Sequence, residues 1–387
     1  MGWRKGLLYS IVTGCMVLGG TAAPLQAADL IDVLKSKNVI TEQEADQLKK
    51  DQNSGATLPS ALKGFKFGTT IFSEWNSRTY DHTSPTVNAT PSTNNFNVNR
   101  AYLTLTKDVN DWLGANLTAD VNYNAGQGWQ LRQKYAFAAL KLGGTTTELG
   151  LVHTPSDDYD GSIWPYRVQG KHLLDDLGIQ ASADFGIYNK ANMKYFGWMA
   201  GVYNGAGYST AEGNGNKLGA VVFYVRPLAD VAMLKGLQIA YTGNYGKSNN
   251  TFTVAKVPGS VATDFPDYQA NIAQISWQHP LFTIMGQYYW GKGTATSDED
   301  YSRKAYLVEG FVRIPGAEKV RLFGRYQNFD PNTDKDNDNA KKIVAGISYD
   351  WATEFMPFIA YEKQTSDVAG TRGADYEQAQ IGFQMKF

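Results

Sequence analysis

Apolar and polar side chains alternate along most of this chain, from Gly64 to Phe387. In WLGANLTADVNYN (112–124), Leu113, Ala115, Leu117, Ala119, Val121 and Tyr123 share one face, and Asn116, Thr118, Asp120 and Asn122 share the other. LGIQASADFGIY (177–188) sets Ile179, Ala181, Ala183, Phe185 and Ile187 against Gln180, Ser182 and Asp184. KVRLFGRYQNF (319–329) sets Val320, Leu322 and Tyr326 against Arg321 and Arg325. A period of two belongs to a strand with one face in an apolar medium and one in a polar medium. About sixteen segments carry it, near 65–75, 96–107, 112–124, 129–142, 145–154, 177–188, 193–204, 216–227, 236–247, 267–278, 281–291, 303–314, 319–329, 341–351, 355–363 and 376–387. Most are ten to thirteen residues long. Strands of soluble domains average ~5–6 residues, whereas a tilted strand crossing a bilayer takes ~9–11.

The connections alternate too. After odd-numbered strands they are long and polar (76–95, 155–176, 205–215, 248–266, 292–302, 330–340 and 364–375), with 125–128 the short exception. After even-numbered strands they are tight, as at 108–111, 143–144, 189–192, 279–280, 315–318 and 352–354, with 228–235 the longer member. Long loops on one rim, short turns on the other and an even strand count predict an all-β fold, a transmembrane antiparallel up-and-down β-barrel. Hydrocarbon supplies no hydrogen-bond partners, so a sheet crosses it only when closed on itself. Trp75, Trp112, Trp129, Trp277, Trp290 and Trp351 fall near the expected strand ends, where aromatic girdles belong.

The first 58 residues differ. Arg4 and Lys5 precede an apolar run from Leu7 to about Leu18, and small residues lead to Leu25-Gln26-Ala27. This is the layout of a signal peptide, residues 1–27, cleaved after Ala27. Val12-Thr13-Gly14-Cys15 also fits a lipoprotein signal, with Cys15 lipidated. Cleavage after Ala27 leaves a mature chain without cysteine and so without disulfides. Residues 28–58 lack the strand pattern; they include DLIDVLKSKNVITEQEADQLKKDQ, a charged run with helical spacing in which Thr41 and Glu44 form a capping-box pair. A short periplasmic helical segment is expected there, followed by the barrel over 59–387.

The stretch QAQIGFQMKF (378–387) places Ala379, Ile381, Phe383, Met385 and Phe387 outward, and Gln378, Gln380, Gly382, Gln384 and Lys386 inward. It resembles the C-terminal signature of bacterial outer-membrane proteins, which implies recognition by the barrel-assembly machinery. More narrowly, FNVNRAYLTLTKDVNDWLGANLTADV (96–121), GLVHTPSDDYDGSIWPYR (150–167), GVYNGAG (201–207) and VRLFGRYQNFD (320–330) resemble the phosphate-selective porin O/P-like family and related porins of Gram-negative bacteria. The resemblance implies sixteen strands in outer-membrane lipid, a homotrimer, and passive diffusion of small hydrophilic solutes or ions. It does not carry phosphate specificity, because no complete basic ladder aligns.

Strand parity selects the residues that would line a pore. Arg100, Arg132, Lys134, Arg313, Arg321, Arg325 and Lys342 are expected to face the lumen, since a cation facing mid-depth lipid costs ~2–4 kcal/mol. Asp120, Asp184, Glu309 and Asp350 share that side. Seven basic groups against four acidic ones suggest a weak preference for small anions. The third external loop, PSDDYDGSIWPYRVQGKHLLDDLG (155–178), is the longest. In general porins the loop at this place folds inward and narrows the channel. Here it would set Asp157, Asp158, Asp160, Asp175 and Asp176 beside Arg167, Lys171 and His172, opposed charges at a constriction.

A net charge of −1 gives no reason to expect nucleic acid. His82, His153, His172 and His279 show no metal-ligand spacing and are expected to be solvated. Gly286 to Lys292 copies P-loop spacing, but Gly293 replaces the Ser or Thr and no helix follows. DKDNDN (334–339) begins like an EF-hand, but Asn339 stands where Gly is needed. The sequence therefore assigns no catalytic residue, metal or cofactor. A second reading stands beside the porin: a barrel sheath for a partner such as a multihaem cytochrome, supplied in trans because the chain has no CxxCH motif.

Overall fold

The computed structural model describes residues 41–43, 64–80, 92–124, 128–249, 252–254, 262–294, 297–367 and 375–387. By its internal contacts the chain divides into Met1–Lys63 and Gly64–Phe387. In the first unit, Glu42 and Gln43 are helical directly after Thr41, where the capping box was expected. The expected signal peptide and the rest of the helical segment lie outside the described residues, as does most of the first external loop.

The second unit is a barrel. Its first strands are β1 (Phe65–Tyr80), β2 (Thr93–Asp108), β3 (Leu113–Asn124), β4 (Gly128–Leu142) and β5 (Thr145–His153). Two short helices follow, α1 (Pro155–Gly161) and α2 (Leu173–Asp176). The wall resumes with β6 (Ala183–Asn192), β7 (Phe196–Tyr203), β8 (Leu218–Val225) and β9 (Leu237–Lys247). A small hairpin, β10 (Phe252–Val254) and β11 (Ala262–Asp264), lies in the next external connection. Then come β12 (Asp267–His279), β13 (Phe282–Thr294), β14 (Ser297–Ile314), β15 (Ala317–Asp330), β16 (Ala340–Tyr349), β17 (Phe355–Ser366) and β18 (Tyr376–Lys386). Sixteen strands pair in chain order and β18 closes on β1, with Ile381 opposite Trp75 and Lys386 opposite Thr70. Thr69 and Phe387 exchange both backbone hydrogen bonds, at 2.6 and 3.0 Å, as the last rung of the closure.

All sixteen expected strands are present, several with shifted ends; β1, for example, runs on to Tyr80, into the expected first loop. The sixth starts at Ala183, so 177–182 belong to the loop before it. The expected loop 292–302 is mostly strand: β13 runs to Thr294 and β14 begins at Ser297, and those two residues pair. Its sequence, Lys292-Gly-Thr-Ala-Thr-Ser-Asp-Glu-Asp, is polar because these strands rise beyond the apolar belt, where polarity no longer signals the end of pairing.

Alternation sorts the side chains as water and lipid require. Leu117, Ile239, Val308 and Ile343 are about half exposed on the outer face, while Asp120, Asn244, Gln274 and Gln327 are buried toward the lumen. Trp112, Trp129, Trp290 and Trp351 are exposed near strand ends, as a girdle demands. Asn271 has the parity of the outer face but is only 1 % exposed, because Tyr241 and Tyr245 both donate their hydroxyls to its Oδ1, at 2.7 and 2.5 Å. Its Nδ2 donates to the Trp290 carbonyl at 3.4 Å, so the amide is satisfied within the protein where lipid offers it no partner.

Replacing Leu117 with Arg sets a cation on the lipid face of β3. We expect a loss of ~2–4 kcal/mol in reversible urea unfolding from lipid vesicles, the range for Arg near the midplane.

Candidate functional site

The segment between β5 and β6 folds into the barrel. Pro155 starts α1 without needing a backbone donor, and the turn ends at Ser162, whose N–H reaches Asp158 and Tyr159 carbonyls. Ser162-Ile-Trp-Pro-Tyr then enters the lumen: Ile163, Trp164 and Tyr166 are 3 % exposed or less. Tyr166 stacks on Phe323 of β15, with centroids 4.1 Å apart, and meets Phe311 of β14 edge-on at 5.9 Å. Trp164 closes the cluster, 5.0 Å from Tyr166. Two wall glycines make the seat. A Cβ at Gly346 would strike the Phe323 ring, and one at Gly382 the Phe358 ring, so both rings lie flat against the wall.

Polar contacts then tie the loop around the wall. Tyr188 and Lys190 of β6 donate to Asp158 at 2.6 and 2.9 Å. Tyr159 donates to Gln238 of β9, and Gln287 of β13 donates to Asp160 at 2.9 Å. Arg325 of β15 donates to the Lys171 carbonyl at 2.8 Å, and Tyr166 shares a hydrogen bond with Ser348 of β16 at 2.7 Å. Gln169 donates to Glu362 of β17 and Gln380 of β18, at 2.8 and 3.2 Å.

The wall charges selected by parity point inward and nearly all are paired. Asp120, fully buried, takes Arg100 at 2.8 Å and Arg132 at 3.1 Å. Asp350, in the turn after β16, takes Arg313 at 2.7 Å and Arg321 at 2.5 Å. Arg325 pairs with Glu309 at 2.6 Å, and Lys342 reaches across to Asp176 of the loop at 2.7 Å. Asp184 accepts instead from the backbone N–H groups of Phe185 and Gly205. Within the loop Arg167 joins Asp175 at 2.5 Å and Asp157 at 3.6 Å, while Lys171 joins Asp175 at 3.0 Å. His172 is not solvated as expected; it is 5 % exposed, with Nδ1 2.7 Å from Asp157. His153 likewise lies in the lumen, 2.7 Å from Glu148 and stacked on Tyr135.

Lys134 is the exception. Its Nζ donates to Ser182, and the Tyr208 and Tyr135 rings lie 4.1 and 5.3 Å away, but among the described residues no carboxylate is within ion-pair distance. The site has a backbone cause. Thr118 pairs with Tyr135 and Ala119 with Gln133, so Lys134 is the extra residue of a β-bulge. A bulge lets successive side chains face one way, and both Lys134 and Tyr135 line the same cavity. That cavity, about 400 Å³, lies between the loop and β1, β2, β4, β5 and β18. Phe72, Tyr102, Tyr135 and Trp164 supply its apolar surface, and Lys134, Arg167, Lys386, Asp157 and Asp158 its charges.

Sequence reasoning missed several of these residues. Tyr208 comes from the connection between β7 and β8 and covers Arg132 and Lys134, with its hydroxyl 3.4 Å from Arg100. Nothing in GAGYSTAEG marks it. Trp164 and Tyr166 did leave a signal, since two large aromatics in five residues are out of place in a solvated loop. Glu148 was legible by parity alone; Lys190 was not, because 189–192 was expected to be a turn whereas β6 runs on to Asn192.

Surroundings set the loop carboxyls apart. Burial pushes Asp160 up to about 7, reinforced by Glu309 and Asp157 against Gln287 and His172. Burial also raises Asp157, but His172 and Arg167 beside it outweigh this and hold it below the usual carboxylate range. Among the described residues no group of three or more His, Cys, Asp or Glu is arranged to hold a metal ion.

With this geometry in view, known structures can be compared. No family profile matches the sequence, and no curated protein does. The fold is similar to the anion-selective porin from Comamonas acidovorans, at 14% identity over 84% of this chain and 99% of that one, with a TM-score of 0.59. It is also similar to outer-membrane OmpT of Vibrio cholerae (14%, 84% and 97%, 0.58) and to OprB of Pseudomonas putida (11%, 87% and 97%, 0.57). The chain therefore has the sixteen-stranded barrel fold found in outer-membrane porins.

Two predictions follow from the charges. Asp120→Ala leaves Arg100 and Arg132 without their counter-ion and is expected to cost ~3–5 kcal/mol in unfolding, as for other broken buried pairs. Asp160 holds its proton more tightly folded than unfolded, so its contribution to stability is complete below pH ~4 and is lost as pH rises toward ~7. Asp157 acts oppositely, its contribution disappearing as pH falls below ~4. Urea midpoints measured from pH 4 to 8 are expected to fall less steeply in Asp160→Asn than in the unmodified protein.

Proposed function

We propose that this chain is an outer-membrane porin that lets small hydrophilic solutes or ions diffuse through its lumen. The observation that carries the reading is the loop 154–182, folded inward and hydrogen-bonded to the opposite wall, beside a cavity with polar and charged lining. A loop held this way narrows a channel without being a mobile plug. Residues Asp157, Asp158, Asp160, Arg167, Lys171, His172, Asp175 and Asp176 are its constriction set in this proposal, and the wall charges from Arg100 to Lys342 position it. The protein is no enzyme on this reading.

A sheath for a cytochrome or other protein would need the lumen empty. Here Trp164, Tyr166, Leu173 and Ile179, all 3 % exposed or less, occupy it, which favours the porin. We propose outer-membrane localisation after export by the cleaved signal peptide, folding by the barrel-assembly machinery, and a homotrimer; a trimer form is known for OmpT of Vibrio cholerae. Any anion preference is weak, because the basic excess of the wall faces an acidic excess in the loop. The passages resembling phosphate-selective porins bring no ring of free cations to the cavity, so we propose no phosphate specificity.

Refolded protein in a planar bilayer is expected to give stepwise currents in KCl, with a reversal potential displaced slightly in the anionic sense under a salt gradient. Replacing 156–180 by a short Gly-Ser linker is expected to raise the conductance several-fold. Correctly folded barrels that pass no current would overturn the porin reading.

A further inference from the structure

We infer that the cavity beside the loop is a binding site for small monocarboxylates with an apolar ring, the carboxylate seated on Lys134. This rests on the lumen reading above for how a solute reaches the site, not for whether it binds.

Three observations converge on Lys134. It is 2 % exposed, so its ammonium has given up most of its water. It has no carboxylate partner among the described residues, whereas Arg100, Arg132, Arg167, Arg321, Arg325 and Lys342 all do. And a β-bulge is spent on aiming it, together with Tyr135, at the cavity. A buried cation is stable when paired and hydrogen-bonded. One hydroxyl and two ring faces meet that need only in part. A carboxylate arriving from the lumen would complete it.

The rest of the lining narrows the class. The other deep charges are already matched: Arg167 by Asp175 and Asp157, and Asp158 by Lys190. Lys134 is the buried positive charge left unmatched, which suits a monoanion. Lys386, which also lines the cavity and has no carboxylate within ion-pair distance among the described residues, is exposed and keeps its water. A doubly charged oxyanion on Lys134 would meet the Asp157 and Asp158 carboxylates without a second buried cation to offset them, since Lys386 stands on the exposed side of the cavity. Phe72, Tyr102, Tyr135 and Trp164 offer ring surface that an inorganic ion cannot use and a flat apolar body can. About 400 Å³ leaves room for one such ring with its carboxylate and some water.

Benzoate is a suitable probe, with inorganic phosphate and benzylamine as the contrasting anion and cation. In equilibrium dialysis against the detergent-solubilised full chain, benzoate is expected to bind saturably, and neither phosphate nor benzylamine to displace it at equal concentration. Lys134→Gln is expected to weaken binding at least tenfold, while Lys194→Gln, on an exposed turn and paired with Asp230, leaves it unchanged. Should Lys134→Gln fail to form a barrel, the unmodified protein still decides the matter. Benzoate is expected to slow reductive methylation of Lys134, read by peptide mass spectrometry, and to leave Lys194 unaffected. Equal affinity in Lys134→Gln, displacement by phosphate, or unprotected Lys134 would overturn the inference. Dialysis needs no current, so a barrel that binds benzoate but does not conduct would sink the porin reading alone.

Discussion

An unpaired peptide group in hydrocarbon costs several kcal/mol, and that cost shapes this molecule. Every strand must have two neighbours, so the first and last strands must meet, and the reciprocal bonds of Thr69 and Phe387 finish the ring. Closure forces the rest. An antiparallel ring built in chain order needs an even number of strands, tight turns at one end and freedom in length at the other. It also divides the side chains of each strand between lipid and lumen, which leaves the lumen as the place for charge.

Confinement of charge explains why the loop and the wall are one unit. Seven basic wall positions carry more charge than their four acidic neighbours can match. The loop between β5 and β6 brings five aspartates with two cations, and Asp176 does reach Lys342 while the Lys171 carbonyl caps Arg325. Coulomb attraction alone would not fix the loop's path, since desolvation offsets most of it. The path is fixed by Trp164 and Tyr166 packed against Phe323, with Phe311 beside Tyr166 and Phe358 edge-on to Phe323, over glycines that let the Phe323 and Phe358 rings lie flat. Apolar packing places the loop, and ion pairs then make its place compatible with buried charge.

The strands were legible because their period is a direct image of two solvents. The inward set from Arg100 to Lys342 was legible for the same reason, since parity needs only the strand and not its partners. What parity cannot provide is pairing. That Asp120 serves both Arg100 and Arg132 depends on the stagger of three strands. That Lys134 and Tyr135 both face inward depends on a bulge, which breaks the period over a single residue and leaves no compositional trace. The expected loop at 292–302 failed through a different cause: beyond the apolar belt, strand and loop are equally polar, so hydropathy stops discriminating. His172 was expected to be solvated because a polar loop was assumed to lie in water.

The same pairing changes how charge would act on an ion placed in the lumen. A lone charge falls off as 1/r and, at an effective dielectric of about 20, is worth ~4 kcal/mol at 4 Å. A cation held at 2.6 Å from a carboxylate of its own, as Arg325 is by Glu309, acts beyond contact range as a dipole, which decays faster and is screened within ~8–10 Å in physiological salt. Counting basic and acidic residues on the wall therefore overstates the field in the lumen. Arg325 and Lys342 are each matched by one carboxylate. Arg100 with Arg132, and Arg313 with Arg321, share one carboxylate per pair, so each pair keeps one net positive charge. Lys134 is the deep cation with no carboxylate in ion-pair range among the described residues. The field in the lumen is set by the charges left over, one from each pair of arginines on a shared carboxylate and that of Lys134, which a backbone irregularity in β4 places without one.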